Sequence, residues 1–209
     1  MQELIEEQLR LRSRVRLEDA HSSYRICAGV DVSYRGDTAV AACVLWDMGA
    51  AREVATVYHR TTVDFPYIPG FLSYRELPAM RGCIRKVRDR VDVFLIDGNG
   101  ILHPRGMGIA SHLGVVEDVP TIGVAKNLLM GEYRMPRAWG VAEPIRAGDS
   151  MVGYAYLSSR RSRKPIFISP GHMVSMETAL EIVRRVCVHR IPEPIRLAHM
   201  RSGDAARSL

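Results

Sequence analysis

The chain has 209 residues, 47% of them hydrophobic and 25% charged, with a formal net charge of +6. That length suits one domain with a sizeable core, and no apolar run approaches the ~18 residues needed to span a bilayer. Cys27, Cys43, Cys83 and Cys187 are scattered, with no C-x-x-C pair, which argues against a zinc site and a disulfide framework alike.

The N-terminus, MQELIEEQLRLRSRVRLED, is charged and helical in pattern, so it does not read as a signal peptide, and a cytoplasmic location is expected. Its apolar residues predict an amphipathic surface helix within residues 1–22. The positive charge favours a polyanionic partner. Only Lys86, Lys126 and Lys164 are lysines among 29 basic residues. An arginine bias suits bidentate phosphate contacts, and genome composition produces the same bias.

Ile26–Tyr34 and Thr38–Trp46 read as paired strands joined by a Gly36-Asp37 turn, and Glu53–Val63 as a third strand of an antiparallel meander. Asp31 interrupts a strand that is otherwise apolar on both faces. A carboxylate there needs a cation or a structural ion pair with an arginine. Asp64–Glu76 follows, with Pro66 and Pro69 stiffening a turn that displays Tyr67 and Ile68. Ser73 fits a helix N-cap with Glu76 closing a capping box, the helix running to about Arg88.

Val93–Ile96 is a continuous apolar run that stops at Asp97-Gly-Asn-Gly, the pattern of a strand covered on both faces. Its terminal carboxylate stands where open α/β sheets build their sites, although an Asx-turn at a strand end has the same signature. Gly108–Asp118 predicts a short helix, Val119–Ala125 a parallel strand, and Lys126 follows at that strand's carboxyl end. Val152–Leu157 and Pro165–Ser169 predict two more strands. The basic tip Ser158-Ser-Arg-Arg-Ser-Arg-Lys164 between them is either a phosphate contact or a solvated turn. Ser169-Pro-Gly-His172 leads into an amphipathic helix over Ser175–Val188. Residues 192–209 lack a pattern and predict a flexible tail. Residues 1–209 thus form one domain.

Three acidic residues, Asp31, Glu76 and Asp97, fall where a mixed sheet gathers them, and isolated carboxylates select Mg²⁺ or Mn²⁺ over zinc. Three antiparallel strands followed by parallel strands with flanking helices predict an α/β, ribonuclease H-like fold. Metal ions in such a site activate water on a phosphodiester, and Lys126 and His172 complete the site electrostatically.

The ordered segments Ala28-Gly-Val-Asp-Val-Ser, Pro66-Tyr-Ile-Pro-Gly, Leu72-Ser-Tyr-Arg-Glu76, Asp97-Gly-Asn-Gly, His103-Pro-Arg, Ala110-Ser-His-Leu-Gly, Pro120–Lys126 and Ser169-Pro-Gly-His172 resemble the endonuclease V family. The resemblance implies a DNA-repair enzyme that hydrolyses the second phosphodiester bond 3′ to deoxyinosine or a similar deaminated base, leaving a 3′-hydroxyl and a 5′-phosphate. It implies Asp31 and Asp97 as direct metal ligands, Glu76 as a direct or water-mediated one, and His172 beside the ion or the attacking water. Lys126 is expected on the scissile phosphate, with His103 and Arg105 as further phosphate contacts. Pro66, Tyr67, Ile68 and Pro69 form the expected strand-separating wedge. Gly70, Leu72, Gly98, Gly100 and Gly108 are expected to line the pocket of the flipped base. The expected cofactor is Mg²⁺, with Mn²⁺ as substitute, and the expected partner is inosine-containing nucleic acid, DNA favoured over RNA, bound by a monomer without membrane contact. An inosine-specific endoribonuclease and a non-cleaving inosine binder are the alternatives. Gly106, Asn99 and Leu102 depart from the family pattern and bear on phosphate contacts and pocket shape. His112 is expected to be structural.

Overall fold

A computed structural model describes residues 1–209. Eight strands form one mixed sheet: β1 (Ile26–Arg35), β2 (Thr38–Asp47), β3 (Arg52–Thr62), β4 (Val93–Asp97), β5 (Thr121–Ala125), β6 (Ala142–Ala147), β7 (Ser150–Tyr156) and β8 (Ile166–His172). Their order across the sheet is β3-β2-β1-β4-β5-β8-β7-β6. The meander β1–β3 is antiparallel, β4 and β5 continue it in parallel, and β8, β7 and β6 close it antiparallel.

Five helices flank the sheet: α1 (Gln2–Arg12), α2 (Leu72–Val87), α3 (Ile109–Glu117), α4 (Met176–Val186) and α5 (Glu193–Arg207). The run Val93–Ile96 is apolar throughout because both its faces are covered. Phe94 and Ile96 join the core under α2 and α3, whereas Val93 and Leu95 join the core under α4 and α5. On β1, Ala28, Val30 and Val32 likewise face α2, so Asp31 points to the opposite side, toward α5.

The predicted flexible tail is instead α5, packed on β1 and β2. Its buried positions Ile195, Ala198, Ser202 and Ala206 recur at helical spacing, but three of the four are small, so the apolar stripe is faint in sequence. Small residues are required because the helix start lies against the sheet: a Cβ on Gly29 would stand 2.1 Å from the carbonyl carbon of Pro194. Burying Ile195 contributes roughly 1.5–3 kcal/mol to holding the helix there.

Other boundaries shift for local reasons. The N-terminal helix ends at Arg12, and the following irregular segment is tied to the end of β8, where Arg16 accepts from the Met173 backbone N–H at 2.7 Å. Helix α2 begins at Leu72, with Phe71 as N-cap and no side-chain capping bond. Ser73 is therefore no cap: its hydroxyl meets His112 Nδ1 at 2.9 Å, which makes His112 a buried structural residue. Strand β6 carries little strand signal in the sequence because Pro144 lies within it. It is the outermost strand, where a missing backbone N–H costs nothing in the ladder.

Candidate active site

The parallel register of β1 and β4 pairs Val30 with Ile96. The next residues, Asp31 and Asp97, therefore stand side by side on strands about 4.8 Å apart, both directed to the α5 face. Glu76 approaches from α2, where its Oε1 accepts from the Tyr34 hydroxyl at 3.3 Å. Freed from any capping box, Glu76 has no helix-end role to explain it.

Electrostatics join the three acids into one cluster. Burial raises the carboxyl of Asp31, and the charge of Asp97 raises it further, against the opposing pull of His199 and Lys126. Glu76 is pushed up to about 8 by burial, then by Asp31 and Asp97, with the Tyr34 hydrogen bond and Arg75 opposing. Like charges gathered in a poorly solvated site destabilise one another unless a cation offsets them. Lys126 Nζ meets Asp97 Oδ2 at 2.5 Å, and His199 Nδ1 meets Asp31 Oδ2 at 2.8 Å. As the side chains stand, no three His, Cys, Asp or Glu residues are grouped so that they could hold a metal ion. Even so, an all-oxygen donor set with an electrostatic deficit has the chemistry of a hard divalent cation site.

His172 is not part of this cluster. Strand β8 runs antiparallel to β5, so His172 pairs with Thr121 while Asp97 pairs with Val124, three residues or ~10 Å further along the sheet. His172 Nδ1 accepts from the Arg16 backbone N–H at 3.2 Å, and its Nε2 lies 3.6 Å from Asp118. The histidine that the structure brings to the acids is His199 on α5. Its signal in the sequence was the Ile195, Ala198, Ser202 spacing, which places His199 beside the buried edge of a helix.

Next to the carboxylates lies a cavity of about 170 Å³, lined by Tyr67, Gly70, Leu72, Ser73, Gly98, Asn99, His103, Met107, Gly108, Ile109 and Leu129. That is smaller than the roughly 300–1,000 Å³ of pockets for drug-sized ligands and is on the scale of one heterocycle. Gly70, Leu72, Gly98 and Gly108 line it as expected. Gly100 does not, because a Cβ there would stand 2.1 Å from the Pro170 carbonyl oxygen, and its N–H donates to Ser169 Oγ at 2.9 Å. Gly100 closes β4 onto β8. Among the departures, Leu102 is fully buried, Gly106 adopts φ +63°, and Asn99 carries a buried side-chain oxygen with no hydrogen-bond partner.

Tyr67 is 67% exposed at the cavity mouth, flanked by exposed Pro66 and Pro69 and half-buried Ile68. His103 and Arg105 brace this loop and are not free for phosphate. Arg105 donates to the Gly70 carbonyl at 2.7 Å, bonds Gln8, and lies 4.6 Å over the Phe71 ring. His103 accepts from the Arg105 N–H at 3.2 Å. Burial, then Arg105, lowers His103 to about 4, so it is neutral at pH 7.

The profile of the Endonuclease V family matches residues 9–200. Endonuclease V of Thermus thermophilus is 43% identical over 205 residues, covering 95% of this chain and 90% of its own. The catalytic domain of human endonuclease V superposes with a TM-score of 0.90 at 33% identity, over 99% and 96% of the two chains. Ciona intestinalis endonuclease V, solved with a 24mer DNA containing an inosine followed by a ribo-adenosine, gives 0.89 at 29% identity, over 99% and 97%.

Proposed function

Because the chain belongs to the endonuclease V family of nucleases, we propose that it is a divalent-metal-dependent endonuclease acting on inosine-containing strands, cutting the second phosphodiester bond 3′ to the base. One observation carries this reading: residues 97–99 run without a break from the carboxylate cluster into the base-sized cavity, Asp97 belonging to the first and Gly98 and Asn99 to the second. A base seated in that cavity brings its own strand over the carboxylates.

Asp31 and Asp97 would hold the cation, Mg²⁺ or Mn²⁺, with Glu76 completing the set. The bound ion supplies Lewis-acid stabilisation of the phosphate and a more acidic water. Lys126 exchanges its contact with Asp97 for a non-bridging phosphate oxygen, offsetting charge that builds up during displacement. His199 presents Nδ1 to Asp31, which fixes the ring and leaves Nε2 toward solvent to hold or pass a proton at the reacting oxygens. Tyr67 props the strands apart as the base leaves the stack. The unpaired amide of Asn99 supplies a polar contact to the base edge, so that deaminated purine is separated from adenine by its N1–H and carbonyl. A binder that does not cut has no need of Lys126 and His199 together.

The second reading, cleavage of inosine in RNA, is favoured by the ribo-adenosine that follows inosine in the Ciona complex. One assay tests both. Matched DNA and RNA oligonucleotides, with and without one inosine, are incubated with Mg²⁺ or EDTA. The expected result is a Mg²⁺-dependent nick one nucleotide beyond the inosine, leaving 3′-hydroxyl and 5′-phosphate ends, with the better substrate identifying the sugar. Inosine-specific retention without a nick in any metal supports the binder.

A further inference from the structure

We propose that the β7–β8 loop, with Trp139 beside it, is a second nucleic-acid contact that holds the substrate strand a few nucleotides from the cleavage site. The inference rests on the endonuclease reading for its partner and on independent geometry for its place. Loop residues Arg160, Arg161, Arg163 and Lys164 are exposed, and no acidic residue occurs between Leu157 and Pro165. Arg160 lies 4.4 Å over the ring of Trp139, which is itself 51% exposed. An exposed indole with a stacked guanidinium offers a base a π-face and a phosphate a fork of donors, the pairing by which single strands are held without regard to sequence.

The sheet places this surface at the carboxylate end. Ala125 pairs with Phe167, Ile166 with Tyr156, and Tyr156 with Ala142. The residues beside the loop therefore form a row running outward from Lys126. At the ~4.8 Å spacing of strands, the row covers about 15 Å.

Arg190 fixes the loop to Lys126. Its Nη2 donates to the carbonyls of both Lys126 and Pro165 at 2.9 Å, and its Nε donates to the Lys164 carbonyl at 3.2 Å. Ser158 Oγ closes the root by donating to the Arg190 carbonyl at 2.6 Å. On the other flank, Gly140 donates to the Leu157 carbonyl at 2.9 Å. The cations are thus held in register with the residue expected on the scissile phosphate.

The test replaces Arg160, Arg161, Arg163 and Lys164 together by Ser and measures the affinity of the full chain for a single-stranded inosine oligonucleotide in EDTA across a salt series. The slope of log affinity against log salt should become shallower by about 2–3, at roughly 0.7 per lost phosphate contact. Trp139→Ala should weaken binding about fivefold or more with the slope unchanged. The control Arg88→Ser/Arg90→Ser, at the opposite end of the sheet, should leave the slope where it is. An unchanged slope in the quadruple variant, or an equal loss in the control, overturns the proposal. Because the readout is binding without metal, it is separate from cleavage. A wild-type chain that never nicks but shows the slope change removes only the endonuclease reading, whereas one that nicks inosine with no slope change removes only this contact.

Discussion

Two histidines at opposite ends of the sheet stand beside carboxylates, and the two pairs are built in reverse. At the end described by His172, the imidazole is buried, with a side chain 4% exposed, and its neighbour Asp118 is 70% exposed. At the other end the carboxylate of Asp31 is 11% exposed and the imidazole of His199 is 65% exposed. A buried neutral ring beside a solvated carboxylate is a strut: water already satisfies the charge. A buried carboxylate behind an exposed ring is a site, because the desolvated charge needs a partner and the ring keeps one nitrogen for chemistry. Location of the buried charge, more than the presence of a His–Asp pair, separates the working end from the bracing end.

The largest effect expected from breaking the working end comes from its carboxylates. Asp97→Asn or Asp31→Asn should lower single-turnover cleavage of an inosine oligonucleotide by roughly 10³-fold or more, since several kcal/mol of transition-state stabilisation are lost at about 1.4 kcal/mol per decade. Circular dichroism should show the fold retained. Wild-type turnover in either variant would remove the metal-site assignment. A smaller effect is expected at the cavity mouth. Tyr67→Ala should reduce the preference for inosine over adenine about 5- to 10-fold in competition cleavage, while affinity for undamaged strands changes less. Preference that survives the change ends the wedge role.

The buried histidines, His172 at the bracing end and His112 and His103 near the cavity, should appear in stability and pH. Burial lowers His172, and it lowers His112 to about 4 and His103 to about 4. A histidine whose folded pKa lies below its unfolded value binds its proton more readily in the unfolded chain. The stability these three histidines contribute is therefore complete above pH ~6.5 and falls as the pH drops from there toward 4, whereas Glu76, raised to about 8, binds its proton more readily in the folded chain and adds stability as the pH drops from 8 toward ~4.5. The two contributions oppose each other in the wild-type chain, so the histidine part is read as a difference: in thermal melts from pH 7.5 to 4.5 the gap between wild type and His112→Asn should narrow by a few degrees as the pH falls, at ~2–4 °C per kcal/mol for a chain of this size. Parallel melting curves would mean that His112 does not titrate on unfolding.

Much of this contrast was legible in the sequence, and the part that was not has a physical cause. Asp31 and Asp97 stood out because each breaks or ends an apolar strand covered on both faces, so their burial could be read from their neighbours. Lys126 followed from its place at a strand end. His199 was hidden because α5 packs through Ala198, Ser202 and Ala206, small residues that a close helix–sheet contact demands and that leave little periodic signal. His172 was misplaced because the direction of β8 depends on long-range pairing, and a strand read as parallel or antiparallel moves its last residue from one end of the sheet to the other. Arg105 illustrates the same limit, since nothing local distinguishes an arginine free for phosphate from one spent on the Gly70 carbonyl.

The most direct test compares the two histidines in one experiment, measuring single-turnover cleavage of an inosine oligonucleotide in Mg²⁺ alongside the melting temperature. His199→Ala should slow cleavage by roughly 10²-fold with little change in melting. His172→Ala should lower the melting temperature by several degrees, the equivalent of the roughly 1–3 kcal/mol of a disrupted part-buried hydrogen bond at ~2–4 °C per kcal/mol, with cleavage within a few-fold of wild type. The reverse pattern, catalysis lost with His172 and kept without His199, would contradict the assignment of the two ends.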